Sequence, residues 1–132
     1  MKKGYRGFVL WMCLFLAGMF AMCFLPTENE GLVLRATLNY TSVGIAVLTG
    51  IIVLADRIDW YNGVDRKQAE EAGPERRRVY AVRHFRRFAA FAAGFLLFST
   101  VMHVLGLGFG WDIAVFVVGL IAVAVSTISI RL

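Results

Sequence analysis

The feature that most limits how this chain can fold is the placement of its charges. Residues 7–25, 36–55, 88–111 and 113–130 contain no Asp, Glu, Lys or Arg, so all 23 charged side chains fall in the remaining 51 residues. An apolar stretch of about 20 residues matches the hydrocarbon thickness of a bilayer when it is wound as a helix. Lipid offers no partner for exposed backbone groups, so each stretch must be helical, and the alternating polarity of a small β-barrel is absent. A mean hydropathy of +0.69 alongside 17% charged residues is what such a partition produces. A soluble enzyme is ruled out.

The windows predict an all-α polytopic membrane protein, a single domain over 1–132 folded as a four-helix bundle. The spans are expected over 7–25, 36–55, 88–108 and 111–130, with a loop over 56–87. Pro26 closes the first span, and Thr27 with Glu30 has capping-box spacing ahead of the second. The third and fourth are separated by the glycine-rich turn Gly106–Gly110. With the N-terminus inside, 13 of the 14 Lys and Arg, among them Lys2, Lys3, Arg6 and Arg131, fall on the inner side. Only Arg35 is left outside, the asymmetry expected when the inner side is the cytoplasm. Both termini are therefore expected in the cytoplasm, in a multi-pass protein of a bacterial inner membrane. Ala21-Met22-Cys23 loosely fits a signal cleavage site, but the 19-residue apolar run is longer than a signal core. The first span is expected to be retained.

Helices in lipid associate through close packing, which small residues four apart permit. Ser42, Ala46 and Gly50 form one such stripe, and Gly119, Ala122 and Ser126 another. Ala89 with Ala93, and Ala90 with Gly94, extend the pattern to the third span. These are expected to be seams of the bundle or of a homo-oligomer. Phe88, Phe91, Phe95 and Phe98 form an aromatic stripe read as packing. Trp11, Trp60, Tyr61 and Trp111, near span boundaries, read as interfacial anchors.

The loop over 56–87 is the only sizeable polar segment. Asp65 and Gln68 are spaced as a helix cap, Gly73-Pro74 breaks the chain, and from Glu75 a helix is expected to run into the third span. That stretch carries Arg76, Arg77, Arg78, Arg83, Arg86 and Arg87. A juxtamembrane cluster of this kind attracts anionic phospholipid. Lipid contact or docking of a membrane-protein partner is expected here. Nucleic-acid binding is not, because Asp56, Asp59, Asp65, Glu70, Glu71 and Glu75 dilute the charge and no recognition fold is present.

Tyr61-Asn62 follows a span and precedes a charged stretch and two closing spans. Over residues 43–130 this arrangement resembles a family of small bacterial membrane proteins of unknown function with a Gly-Tyr-Asn turn. Trp60 stands in place of the glycine and an extra N-terminal span is present. The resemblance implies a membrane protein and no particular chemistry.

Ionisable groups at membrane depth are the natural functional candidates, and few exist. Arg35, Asn39, His103 and Asp112 are expected near one another at the outer level. They form either a shallow polar site, in which His103 exchanges a proton, or an Arg35–Asp112 ion pair with a hydrogen-bonded histidine. Cys13 and Cys23 are about 15 Å apart along one helix, too far for a disulfide. Small multidrug transporters are similar in size and topology, but their first span carries an essential glutamate and residues 7–25 hold no carboxylate. No nucleophile–base or metal-ligand set converges, so no cofactor and no enzyme activity are expected. The reading is an accessory or interaction protein of the membrane, with a small transporter or channel built on the outer cluster as the alternative.

Overall fold

In the computed structural model, which describes residues 5–61 and 63–132, all secondary structure is helical. Lys2, Lys3 and Asn62, and with it the Tyr-Asn turn, lie outside the described residues. Five α-helices follow one another: α1 (Arg6–Met22), α2 (Glu30–Ala55), α3 (Arg66–Glu71), α4 (Gly73–Val104) and α5 (Gly110–Ile128). A 3-10 turn, Ile58–Trp60, stands between α2 and α3. Helices α2, α4 and α5 are long and apolar enough to cross a membrane, while α1 is a shorter apolar helix of 17 residues.

The register of the pairs is readable from their contacts. Gly7 meets Trp60, Phe15 meets Gly44 and Gly18 meets Tyr40, so α1 runs antiparallel to α2 and the turn below it. Gly50 lies against Phe85 and Asn39 against Ser99, so α2 is antiparallel to α4. Phe95 packs on Phe116 and Gly119 on Phe91, so α4 is antiparallel to α5. Helix α2 is central, packed most extensively on α4. Helix α1 lies at the edge and buries no residue.

Helix ends differ from expectation in three places, each for a local reason. Helix α1 stops at Met22, because the N–H groups of Cys23 and Phe24 bond the Phe20 and Ala21 carbonyls and tighten the last turn ahead of Pro26. Asn29, and not Thr27, caps α2: its Oδ1 accepts from the Leu32 N–H at 3.0 Å, while Thr27 Oγ1 accepts from the Asn29 N–H. Helix α4 ends at Val104 because Gly106 takes a left-handed φ of 68°, which turns the chain toward α5. The Asp65–Gln68 capping box forms on α3, and Pro74 sits in the first turn of α4, which continues unbroken through 32 residues.

A buried apolar cluster lies at the arginine end of the bundle. Ile52, Ile58, Ala69, Tyr80, Ala81 and Ile130 pack together, with Trp60, Tyr61 and Val64 against them. Trp60 and Tyr61 thus help form this core and are not simply interfacial anchors. The loop is folded onto α4 and the end of α5.

The small-residue stripes divide. Ser42 and Ala46 are buried, Gly50 receives the Phe85 ring and Gly119 the Phe91 ring. Ser126, half-buried, contributes its carbonyl to α4. Ala122, Ala90, Ala93 and Gly94 are exposed. The buried face of α4 here is instead Ala92, Phe95 and Ser99, with Ser99 against Asn39 of α2 and Phe95 against Phe116 of α5, offset by about half a turn from the small pair Ala90–Gly94.

Candidate functional site

Two sets of residues carry the candidate chemistry, one at each end of the bundle. At the end away from the arginines, Arg35 on α2 is the centre. Its Nε donates to Asp112 Oδ2 on α5 at 3.0 Å, its Nη1 to His103 Nδ1 on α4 at 3.2 Å, and its Nη2 to the Leu107 carbonyl. One guanidinium therefore ties α2 to α4, to α5 and to the turn joining them. Asp112 is fully buried and Arg35 is 9% exposed. Asn39, one turn along α2, donates to the Arg35 carbonyl at 2.9 Å and to Ser99 Oγ at 3.0 Å. The structure brings Arg35, Asn39, His103 and Asp112 together as the sequence implied.

An arginine has donors only, so in this contact His103 Nδ1 accepts. Two acceptors, Asn39 Oδ1 and Asp112 Oδ1, are buried without a partner. The fork of Arg35 is otherwise occupied on all three nitrogens, the arrangement of a structural tie between helices.

At the other end the six arginines separate into two groups. Arg77 does not face outward: it holds Asp56 through Nε at 2.9 Å and Nη2 at 2.5 Å, and donates from Nη1 to the Ala69 carbonyl. Asp56 ends α2 at a left-handed φ of 51°, so this pair clamps the strained corner where the loop leaves the span. The carboxylate beside it holds the Arg77 guanidinium above its ordinary range. Arg87 donates to the Ser126 carbonyl and, at 3.4 Å, to Ser129 Oγ, joining α4 to the end of α5. Expected as surface contacts, Arg77 and Arg87 are bound within the chain, because each lies opposite acceptors at a helix end. Arg76, Arg78, Arg83 and Arg86 are exposed and have no hydrogen bond or ion pair among the described residues.

Sequence reasoning missed two further groups. Arg57 grips Asp59 through Nε and Nη2, both at 2.9 Å, and lies over the Trp60 ring at 5.1 Å, which shields it to 6% exposure. His84 lies against Tyr61 and Tyr80, with ring centroids 4.5 and 4.4 Å away, and its Nδ1 bonds the Tyr80 carbonyl at 3.0 Å. Burial lowers the His84 pKa, helped by the nearby Arg87, and the Tyr80 carbonyl opposes it. Burial likewise raises the Tyr61 and Tyr80 hydroxyls. Tyr80 and His84 are four apart, a spacing that marks a shared helix face, but nothing local signals that Tyr61 completes it.

A pocket of about 500 Å³ beside Arg76 is lined by Val64, Gln68, Glu71, Tyr80 and Arg131. A second, of about 370 Å³, lies between α4 and α5 and is lined by Arg83, Arg86, Arg87, Ser129 and Ile130. Compared with known proteins, the chain matches no family model, no curated protein and no solved structure.

Proposed function

We propose that this chain is a small non-enzymatic protein of a bacterial inner membrane, with four spans and both ends in the cytoplasm. It works as an accessory or interaction subunit of a membrane complex, and the arginine end is its working surface. The observation that carries this reading is the exposed set Arg76, Arg78, Arg83 and Arg86, none of which has a partner among the described residues. Unpaired arginines beside an apolar span favour a negatively charged surface, lipid or protein. Helix α1 is taken as the fourth span: at 17 residues it is at the short end of what crosses a bilayer, and it lies antiparallel along α2.

A second reading, a small transporter or channel, draws on the unpartnered buried acceptors of Asn39 and Asp112. Against it, the Arg35 fork is filled by side-chain and backbone partners from α4, α5 and their connection. Purification of the full chain in mild detergent separates the two. The accessory reading predicts a stable companion that is lost when Arg76 and Arg78 are both changed to Gln, and no solute or proton flux in liposomes. A flux abolished by Asp112→Asn with assembly intact would replace it with the transporter.

A further inference from the structure

We propose that the groove between α4 and α5 at the arginine end holds one anionic phospholipid, its phosphate among Arg83, Arg86 and Arg87 and an acyl chain along Ala90, Gly94 and Ala122. This deepens the reading above and rests on the arginine end facing the anionic leaflet. The headgroup pocket measures about 370 Å³ and carries three guanidinium groups, with Ser129 and Ile130 completing its wall. Arg83 and Arg86 have no partner among the described residues, and only one nitrogen of Arg87 is engaged, by α5. No Asp or Glu occurs in residues 76–111 or 113–132, so neither wall supplies a neutralising carboxylate.

The tail groove follows from helix geometry. Arg83, Ala90, Gly94 and Val101 fall at steps of seven and four residues, so they lie along one side of α4, and all four are exposed. On α5, Ala122 is seven residues before Ser129 and shares the side that borders the pocket. A Cβ built at Gly94 meets no heavy atom within 4 Å, whereas one at Gly119 meets the Phe91 ring at 2.6 Å. The small residues on this side are therefore left as an open, unfilled strip that starts one to two turns below the arginines.

Charge selects the occupant. A second copy of the chain docking symmetrically on this face would set its own three arginines against these. A molecule with a negative head at the membrane surface and an apolar tail fits both halves of the site. Basic pockets between helices on the cytoplasmic side bind lipid headgroups in this way.

The test is native mass spectrometry of the full chain, released from detergent in an equimolar mixture of dioleoyl phosphatidylglycerol and dioleoyl phosphatidylcholine. One phosphatidylglycerol is expected to be retained, at least about tenfold above phosphatidylcholine. Arg83→Gln with Arg86→Gln is expected to weaken retention about 30-fold, roughly fivefold for each arginine. Gly94→Leu, which covers this strip, also loses the lipid, and Arg66→Gln, on α3 and outside the groove, keeps it. Millimolar glycerol phosphate, the head without chains, does not displace it. Equal retention of both lipids by the unaltered chain overturns the proposal whether or not any variant folds. So does retention by the double arginine variant, an unchanged Gly94→Leu, or full displacement by glycerol phosphate, which would make this a free-phosphate site. The side on which the arginines lie is measured separately by labelling, so loss of lipid selectivity with that orientation intact defeats the groove and leaves the accessory reading standing.

Discussion

Arg35 Nε on α2 donates to Asp112 Oδ2 on α5 across 3.0 Å, and Asp112 has no exposed surface. These residues are 77 apart in sequence, and each sits at the charge-free margin of its own span. The pair joins α2 to α5 at the end of the bundle where the turn between α4 and α5 lies.

Removing one partner strands the other. Asp112→Ala should destabilise the protein by about 3–5 kcal/mol, the usual cost of leaving a buried charge uncompensated. The combination Arg35→Met with Asp112→Leu removes both charges and should cost less than Asp112→Ala alone. Thermal unfolding in detergent micelles measures both; a double variant at least as unstable as Asp112→Ala would show that the two residues do not act as a pair.

Glycines on α4 and α5 should respond oppositely to enlargement. Gly119→Leu drives a Cβ into the Phe91 ring, which packs against Phe95 and Phe116 with ring centroids 6.0 Å away. A loss of about 1–3 kcal/mol is expected, the usual cost of overpacking. Gly94→Leu enters open space and should leave the unfolding midpoint within experimental scatter in lipid-free detergent.

Arg77 and Arg78 are neighbours with different work. Arg77→Gln breaks the clamp on Asp56 and frees the corner of the loop, so a protease should cut residues 57–72 faster. Arg78→Gln should leave the cleavage rate unchanged. Equal rates in the two variants would mean that the Asp56–Arg77 pair does not hold the loop.

Acidification should loosen the arginine end through His84. Its pKa is lowered in the folded protein, chiefly by burial, so the unfolded chain takes up the proton first. The contribution of the neutral ring is complete above the unfolded value near 6.5 and is lost progressively as pH falls below it. His84→Phe keeps an aromatic ring between Tyr61 and Tyr80 and should flatten that part of the stability–pH curve. An unaltered curve would assign the acid response to other groups.

The helices were legible because lipid imposes one rule on every span: few charges and about 20 apolar residues. The Arg35–Asp112 pair was legible for the same reason, since each is one of very few ionisable groups beside an apolar span. What could not be read was which way a side chain turns when several candidates share a stretch. Arg77 and Arg87 look like Arg78 and Arg86 in sequence, yet each happens to lie opposite helix-end acceptors, Asp56 with the Ala69 carbonyl and the Ser126 carbonyl. Ala90 and Gly94 look like a packing seam, yet rotation of α4 buries Ala92, Phe95 and Ser99 instead. The Tyr61–His84–Tyr80 stack depends on how the loop folds back, which no local periodicity records.

Both the partner surface and the lipid groove require the arginine end to face the cytoplasm. Site-directed labelling measures that most directly. Cys13 and Cys23 are replaced by Ser, and a single cysteine is placed by Glu28→Cys or by Arg78→Cys in cells with the outer barrier removed. A membrane-impermeant maleimide should label position 28 at once and position 78 only after the membrane is permeabilised. Immediate labelling of position 78 with position 28 protected would contradict the account.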